Sequence, residues 1–393
     1  MSVLRRRGNL PAWRRGFPFF LGKPRSAIER LRKATSGEAW KQGPVYKRLL
    51  LGAVMIVGWP LVTFVDALRL TRRGDGVPGF ASLYSAALTR NVPPNQYAHY
   101  ASLPGFHVSQ IADVLLPLDS RGLHSLSRGR GALSDDVQDK ARFEKLCSTH
   151  DLTCVPTIAV FDGGTSTGVE NLQQWGQSFY VKALSGNRGA GAELWTPTMS
   201  GFTSSSGREL SIDELIQELG LTNSIVQPVL DDCAELRALG SVALSSLRVV
   251  TAKGSSIPAT VIAAALSLAN KPGSLTSHAG SLCGIDIGTG RITAVRESTD
   301  REAPVIDPES PLIGFQLPSW IDAVELTCRA HDLAFPSFVT LGWDVALTPS
   351  EPMLIETNIS WNMSMHQSLT GPLGETPLAE IIDELIAPAQ ARR

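Results

Sequence analysis

Phe338-Val339-Thr340-Leu341-Gly342-Trp343-Asp344-Val345-Ala346-Leu347, then Pro349-Ser350-Glu351-Pro352, then Met353-Leu354-Ile355-Glu356-Thr357-Asn358, reads as two strands joined by a tight antiparallel turn. A charge in the middle of so apolar a run is costly to bury unless something pairs it. Asp344 therefore calls for a partner. Twelve positions on, the returning strand presents Glu356, and residues two apart on a strand share a face, which adds Asn358. Asp344, Glu356 and Asn358 can converge as hard oxygen ligands, a set that suits magnesium bridging phosphate groups.

Cations stand at three other places. Phe179-Tyr180-Val181-Lys182-Ala183 puts a lysine on a strand, and a loop containing Gly186, Gly189 and Gly191 follows. Such a loop frees backbone N–H groups to approach phosphate oxygens, while Lys182 supplies a point charge. It lacks the Gly-Lys-Ser/Thr ending of a P-loop, and no helix follows at once as a dinucleotide fingerprint requires. Lys140 opens a helix over Asp139–His150, where it either contacts a phosphate or is a solvated helix end. Arg248 sits inside the β-branched run Ser246-Leu247-Arg248-Val249-Val250-Thr251. It needs an anion, either a bound phosphate or a carboxylate of the protein itself.

With 393 residues, 43% apolar and 19% charged, the chain is globular and long enough for two or three domains. Its net charge of −1 hides an asymmetry: residues 1–48 hold thirteen Lys/Arg against Glu29 and Glu38, a local +11. A basic arm on an acidic body draws an anionic surface or remains solvated. No nucleic-acid module is recognisable in it. The five cysteines, Cys147, Cys154, Cys233, Cys283 and Cys328, show neither a CxxC pair nor zinc spacing, which points to free thiols in the cytosol. Leu49–Val65 is seventeen residues without a charge. That is at the lower limit for crossing a bilayer, and the segment contains Pro60 and is flanked by basic residues on both sides. Three placements fit it: on or re-entering a membrane surface, docked on the soluble body, or spanning.

The remaining pattern predicts an α+β (α/β) chain. A basic, poorly ordered arm covers 1–45, with Ser26–Thr35 as a short helix, and the apolar helical segment covers 46–73. A helical, mixed region covers 80–132, and one large domain covers 133–393, with a lid-like subdomain over about 155–228. A helix followed by a strand between Leu133 and Phe161 predicts βα units of an open sheet. Ser211 with Glu214 three residues on marks a capped helix over Asp213–Glu218. Gly288-Thr289-Gly290 marks a hairpin within Ile285–Val295.

In this order, Asp139-Lys140, the Lys182 strand with its glycine loop, the Arg248 strand, Gly342-Trp343-Asp344 and Glu356-Thr357-Asn358 resemble the ATP-grasp superfamily. The likeness is greatest to its sugar-transfer-associated and alpha-L-glutamate-ligase-related members. It runs from about Asn91 to the end. The resemblance implies an ATP-grasp fold in which two α+β subdomains grip ATP, with Val226-Gln227-Pro228-Val229 as the adenine linker. Asp232 or Glu235 would hold the ribose, and Asp344, Glu356 and Asn358 would hold Mg²⁺. It implies an ATP-dependent ligase that joins a small carboxylate to an amine or hydroxyl through an acyl phosphate, in cell-surface polysaccharide biosynthesis. Lys182, Lys140 and Arg248 would neutralise charge. No Gly-x-Ser-x-Gly elbow or Cys–His arrangement offers a protein nucleophile. Ser277–Gly284 departs from the family's Asp-Asn and Gly-Gly pattern at an expected acceptor loop, and Thr357 replaces a glycine. These departures, with the basic and apolar N-terminus, leave a second reading: a non-catalytic, membrane-associated nucleotide-binding partner of a glycan assembly system. His366, just beyond the metal set, is either an acceptor-orienting base or structural. The expected location is the cytoplasm, at the inner face of a membrane through residues 1–73.

Overall fold

The computed structural model describes residues 19–36, 45–72, 77–185, 192–270, 280–297 and 307–390. The chain opens with a helical layer: α1 (Ala27–Thr35), α2 (Val45–Thr71), α3 (Phe80–Arg90), α4 (Pro94–Ala101) and α5 (Ser120–Gly129). Residues 26–35, expected inside a loosely ordered arm, are instead built into the body. Ser26 caps α1 by accepting from the Glu29 N–H, and Ile28 and Leu31 are fully buried. Arg32 forks onto Asp119 at 2.9 and 2.7 Å, both side chains buried, and Arg30 reaches Asp383 near the C-terminus at 2.6 Å. Composition showed the charge excess but not these distant partners. Residues 1–18 and 37–44 of the expected arm lie outside the described residues.

The short α6 (Asp135–Gln138) and α7 (Lys140–Thr149) lead to the first sheet. Asp139 caps α7 by accepting from the Arg142 N–H at 3.0 Å. The sheet contains β1 (Ala159–Asp162), β2 (Thr165–Thr167), β3 (Phe179–Ala183), β4 (Glu193–Pro197), β5 (Phe202–Ser204), β6 (Glu209–Leu210) and β7 (Ser224–Pro228), in the order β2-β1-β7-β3-β4-β5-β6. Every pairing is antiparallel, so the expected βα units are not present. The reason is local. Gly163 and Gly164 both adopt positive φ, which turns β1 straight back into β2 as a tight hairpin. Two helices, α8 (Val169–Gln174) and α9 (Ile212–Leu219), pack with the sheet around Phe161, Leu172, Phe179, Trp195 and Leu215. The Ser211–Glu214 capping box opens α9 as the pattern requires.

After the short α10 (Ala234–Ala238), the second sheet is formed by β8 (Ser246–Ala252), β9 (Thr260–Leu268), β10 (Ser281–Ile285), β11 (Ile292–Glu297), β12 (Thr340–Leu347) and β13 (Pro352–Asn358). Their order is β11-β10-β9-β8-β12-β13, again antiparallel throughout. α11 (Trp320–Leu333) packs on one face with Phe335 and Trp343. The other is covered by α12 (Met363–Thr370) and α13 (Leu378–Gln390), with α1 against α13. Covered on both sides, all eight residues of β12 are buried, and such a strand reads as a continuous apolar run rather than an alternation.

Close packing makes Gly342 obligatory. A Cβ there would lie 2.3 Å from Trp361 Cβ. Gly342→Ala should cost about 2–3 kcal/mol from overpacking a strand with nowhere to move, readable as a shift in the urea midpoint. Behind β12, Trp343 Nε1 donates to Thr251 Oγ1 at 2.7 Å, Thr251 lies 2.8 Å from His331 Nδ1, and His331 Nε2 lies 3.0 Å from the Phe338 carbonyl. A carbonyl only accepts, so Nε2 carries the proton and Nδ1 accepts from the threonine. Burial pushes the His331 ring down to about 4. An unfolded histidine titrates near 6.5, so the unfolded chain binds the proton first. Stability is full above pH 6.5 and falls as pH drops toward 4, by about 3 kcal/mol in order of magnitude. Chemical unfolding of wild type against His331→Asn between pH 7 and 5 measures this, because Asp344 and His366 contribute alike to both; a difference that stayed flat with pH would refute it.

Gln367 joins the helical layer to the sheet. Its Oε1 accepts from Leu115 N at 2.7 Å and Leu373 N at 3.2 Å, and its Nε2 donates to Leu115 O at 2.9 Å and Tyr100 Oη at 3.1 Å.

Candidate metal–nucleotide site

Three charged residues lie side by side on three strands. Arg248 of β8 is opposite Asp344 of β12, and Asp344 is opposite Glu356 of β13. The register shifts just past Asp344, where β13 carries an extra residue. A bulge of this kind re-aims the side chains beside it. Arg248 meets Asp344 as a fork, Nε to Oδ1 at 2.6 Å and Nη2 to Oδ2 at 2.5 Å. Asn358 Nδ2 donates to Glu356 Oε1 at 3.0 Å. The Asp344 carboxyl is held above the usual range, first by burial and further by the like charge of Glu356, while Arg248 pulls it down.

Arg248 was expected to meet either a bound anion or a carboxylate of the chain, and here it is the carboxylate. Two of its donors, Nε and Nη2, are taken up by Asp344. Two carboxylates in like-charge contact beside an amide oxygen fit a divalent cation. Magnesium takes one or two carboxylates and completes its shell with water and phosphate. Among the described residues, no group of three or more His, Cys, Asp or Glu is placed to hold a metal.

The cations come from the first sheet and from the helix α7 that precedes it. Lys182 on β3 donates to Gln227 Oε1 of β7 at 3.1 Å and lies 5.6 Å from the Tyr180 ring centroid. Burial lowers its pKa, Glu356 raises it, and Lys140 lowers it again. Lys182 thus lies in the field of Glu356, and Lys140 lies near Lys182. Lys140 Nζ donates to the Ala183 carbonyl at 3.1 Å, and its backbone N–H donates to Leu184 at 3.1 Å. Tyr180 was not foreseen, although its position two residues before Lys182 places it on the same strand face.

Both ends of the segment that forms the first sheet are tied to this hairpin. Val155 N donates to Leu354 O and Leu354 N donates to Thr153 O on the way in, and Cys233 N donates to Leu347 O on the way out. Gln227 is buried and Val229, just past β7, is exposed. Asp232, a candidate ribose ligand, has partners within the chain. Its carboxylate is buried, accepts from Ser245 N at 3.0 and 3.1 Å and binds the Ser241 hydroxyl, so it ties the linker to the turn before β8. Glu235, the other candidate, is exposed. Gly186, Gly189 and Gly191 lie outside the described residues. The expected acceptor loop at 277–284 is different in its described half. Ser281–Gly284 belongs to β10, between β9 and β11, with Ser281 N bound to Asn270 Oδ1 at 3.0 Å. His366 is fully buried 6.0 Å from Trp361, and neither ring nitrogen has a partner among the described residues. Burial, with Arg248 adding to it, pushes its ring down to about 3, which makes it a poor base.

A family model described as sugar-transfer associated ATP-grasp matches residues 129–376, more than half of the chain. No curated protein matches. Among solved structures, N5-carboxyaminoimidazole synthetase from Staphylococcus aureus complexed with ADP matches at 11% identity and a TM-score of 0.37, over 62% of this chain and 50% of that one. D-alanine–D-alanine ligase from Bacillus anthracis matches at 13% and 0.37, over 68% and 71%. L-amino acid ligase from Bacillus licheniformis matches at 8% and 0.38, over 69% and 53%. The chain spans about half the length of the synthetase. Likeness this distant assigns no residue and no substrate.

Proposed function

The chain belongs to the sugar-transfer-associated ATP-grasp family, and on that premise we propose that it is a cytoplasmic, magnesium–ATP-dependent ligase. It phosphorylates a small carboxylate and passes the acyl group to an amine or hydroxyl of an acceptor used in cell-surface saccharide assembly. The observation that carries this reading is the hairpin that sets Asp344 opposite Glu356 with Asn358 bound to it, with Lys182 of the other sheet in the field of Glu356 and Lys140 near Lys182. γ-Phosphate and carboxylate are both anions, so they approach only where their charge is met, and a half-buried site meets it more strongly than water does.

Lys182, held by Gln227, supplies a fixed point charge over the phosphates, and Lys140 adds a second. Magnesium, when held by Asp344, Glu356 and Asn358, neutralises phosphate oxygens. Backbone groups around Val226–Val229 receive the base, and Gly186, Gly189 and Gly191 are assigned to phosphate by sequence alone. The cytoplasm fits the ATP requirement and five free thiols.

The full chain with Mg-ATP and a panel of acids and amines should release ADP. Lys182→Met should raise the KM for ATP roughly tenfold or more. The Arg248 fork on Asp344 favours the second reading, a partner that binds nucleotide without turning it over. Magnesium-dependent ATP binding with no ADP release across the panel would replace the ligase with that partner.

A further inference from the structure

The structure divides α2 lengthwise. Gly52, Met55, Trp59, Thr63 and Ala67, spaced three and then four apart, form a buried stripe. α2 packs on α3 and α4 along its length. Trp59 Nε1 donates to the Ala87 carbonyl at 2.9 Å, and Phe64 meets Phe80 and Tyr84 edge-on at 5.1 and 5.6 Å. The opposite stripe is also apolar and has no cover among the described residues. Leu50, Val57 and Leu61 are 67%, 62% and 63% exposed, and the exposed Ile56 and Val65 add to them. A soluble helix ordinarily turns charge to solvent on this face; here none appears between Leu49 and Val65.

The geometry points to α2 docking lengthwise on an anionic lipid bilayer, its uncovered stripe among the outer acyl chains and its buried stripe still on α3. Leu49–Thr71 is long and apolar enough to cross a membrane. Crossing, however, would strip Met55, Trp59 and Ala67 from α3 and leave Leu83, Ala86 and Ala87 uncovered. Lying in the plane keeps both stripes buried. Charge selects the surface. Residues 1–48, ending in Lys47 and Arg48 just before the stripe, carry a net +11, and Arg69 and Arg72 are exposed at its far end. The rest of the chain carries −12 and is repelled by the same surface, so one face is presented. Charge also disfavours a second copy as the cover, since two such arms would be brought together.

The test is flotation of the full chain with vesicles of phosphatidylcholine alone or mixed with phosphatidylglycerol. Binding to the mixed vesicles should exceed binding to neutral ones roughly tenfold, and should fall in high salt. Val57→Glu with Leu61→Glu should remove at least about nine-tenths of it with the melting temperature kept. If that pair fails to fold, Ile56→Gln with Leu61→Gln reads the same stripe without adding charge. Three results would overturn the proposal. Binding could survive both variant pairs. Wild type could resist extraction by alkaline carbonate, as a spanning helix does. Wild type could ignore both vesicle types yet form a dimer that either pair dissolves.

Discussion

Glu356→Gln should lower ATP turnover roughly a thousandfold, about 4 kcal/mol of transition-state stabilisation, while leaving the fold intact or firmer. Glutamine keeps the size of the side chain, and its Oε1 still accepts from Asn358 Nδ2, now 3.0 Å from Glu356. What disappears is one negative charge of the hard-oxygen set. Its loss also relieves the like-charge contact that raises the Asp344 carboxyl, so the Arg248–Asp344 pair tightens. Lost turnover together with an unchanged or higher melting temperature is therefore the signature. A variant that turns over within tenfold of wild type would remove Glu356 from the reaction.

Arg248→Met should act the other way, on stability before anything else. Methionine fills the stem, but Asp344 and Glu356 are left side by side without their cation. Removing one partner of a buried pair costs about 3–5 kcal/mol because the other charge stays buried. The sign with pH is fixed by the direction of the Asp344 shift. A carboxyl whose folded pKa is raised disfavours the charged form, so the penalty is full above the raised pKa and vanishes as pH falls below the unfolded value. The stability gap between variant and wild type should close on acidification, and Asp344→Asn on the variant background should restore much of the loss at neutral pH. Urea titrations from pH 8 to 4 would show it. A gap that stayed constant would mean that packing of the guanidinium, not its charge, is what counts.

The sequence was most readable where the cause was local. A carboxylate in an apolar run, a two-proline turn and a Glu-x-Asn pair on the return strand were enough to place Asp344 opposite Glu356. The same holds for Ser211 with Glu214 at the start of α9. It was least readable where side chains far apart in the chain choose each other. Arg248 and Asp344 are 96 positions apart, and nothing near either residue says that they pair rather than meet a ligand. Asp232 has the composition of a ribose ligand, yet Ser245, thirteen residues on, turns it inward. Pairing direction in the first sheet depended on two glycines at positive φ, a signal present at Gly163 and Gly164 but outweighed by the helix before them.

Gln367 spends all four hydrogen-bonding positions of its amide on Tyr100, Leu115 and Leu373. Segments more than 250 residues apart in the chain are thus joined at one buried side chain. To swing α4 away from α12, those bonds must break together and leave Leu115 N unpaired where water does not reach. Hydrogen exchange would see this as shared opening: the Leu115 amide should exchange with the slow core around β8 and β12, not with the faster surface of the helical layer. The layer that carries α2 and the sheet that carries the carboxylates would then open as one cooperative unit.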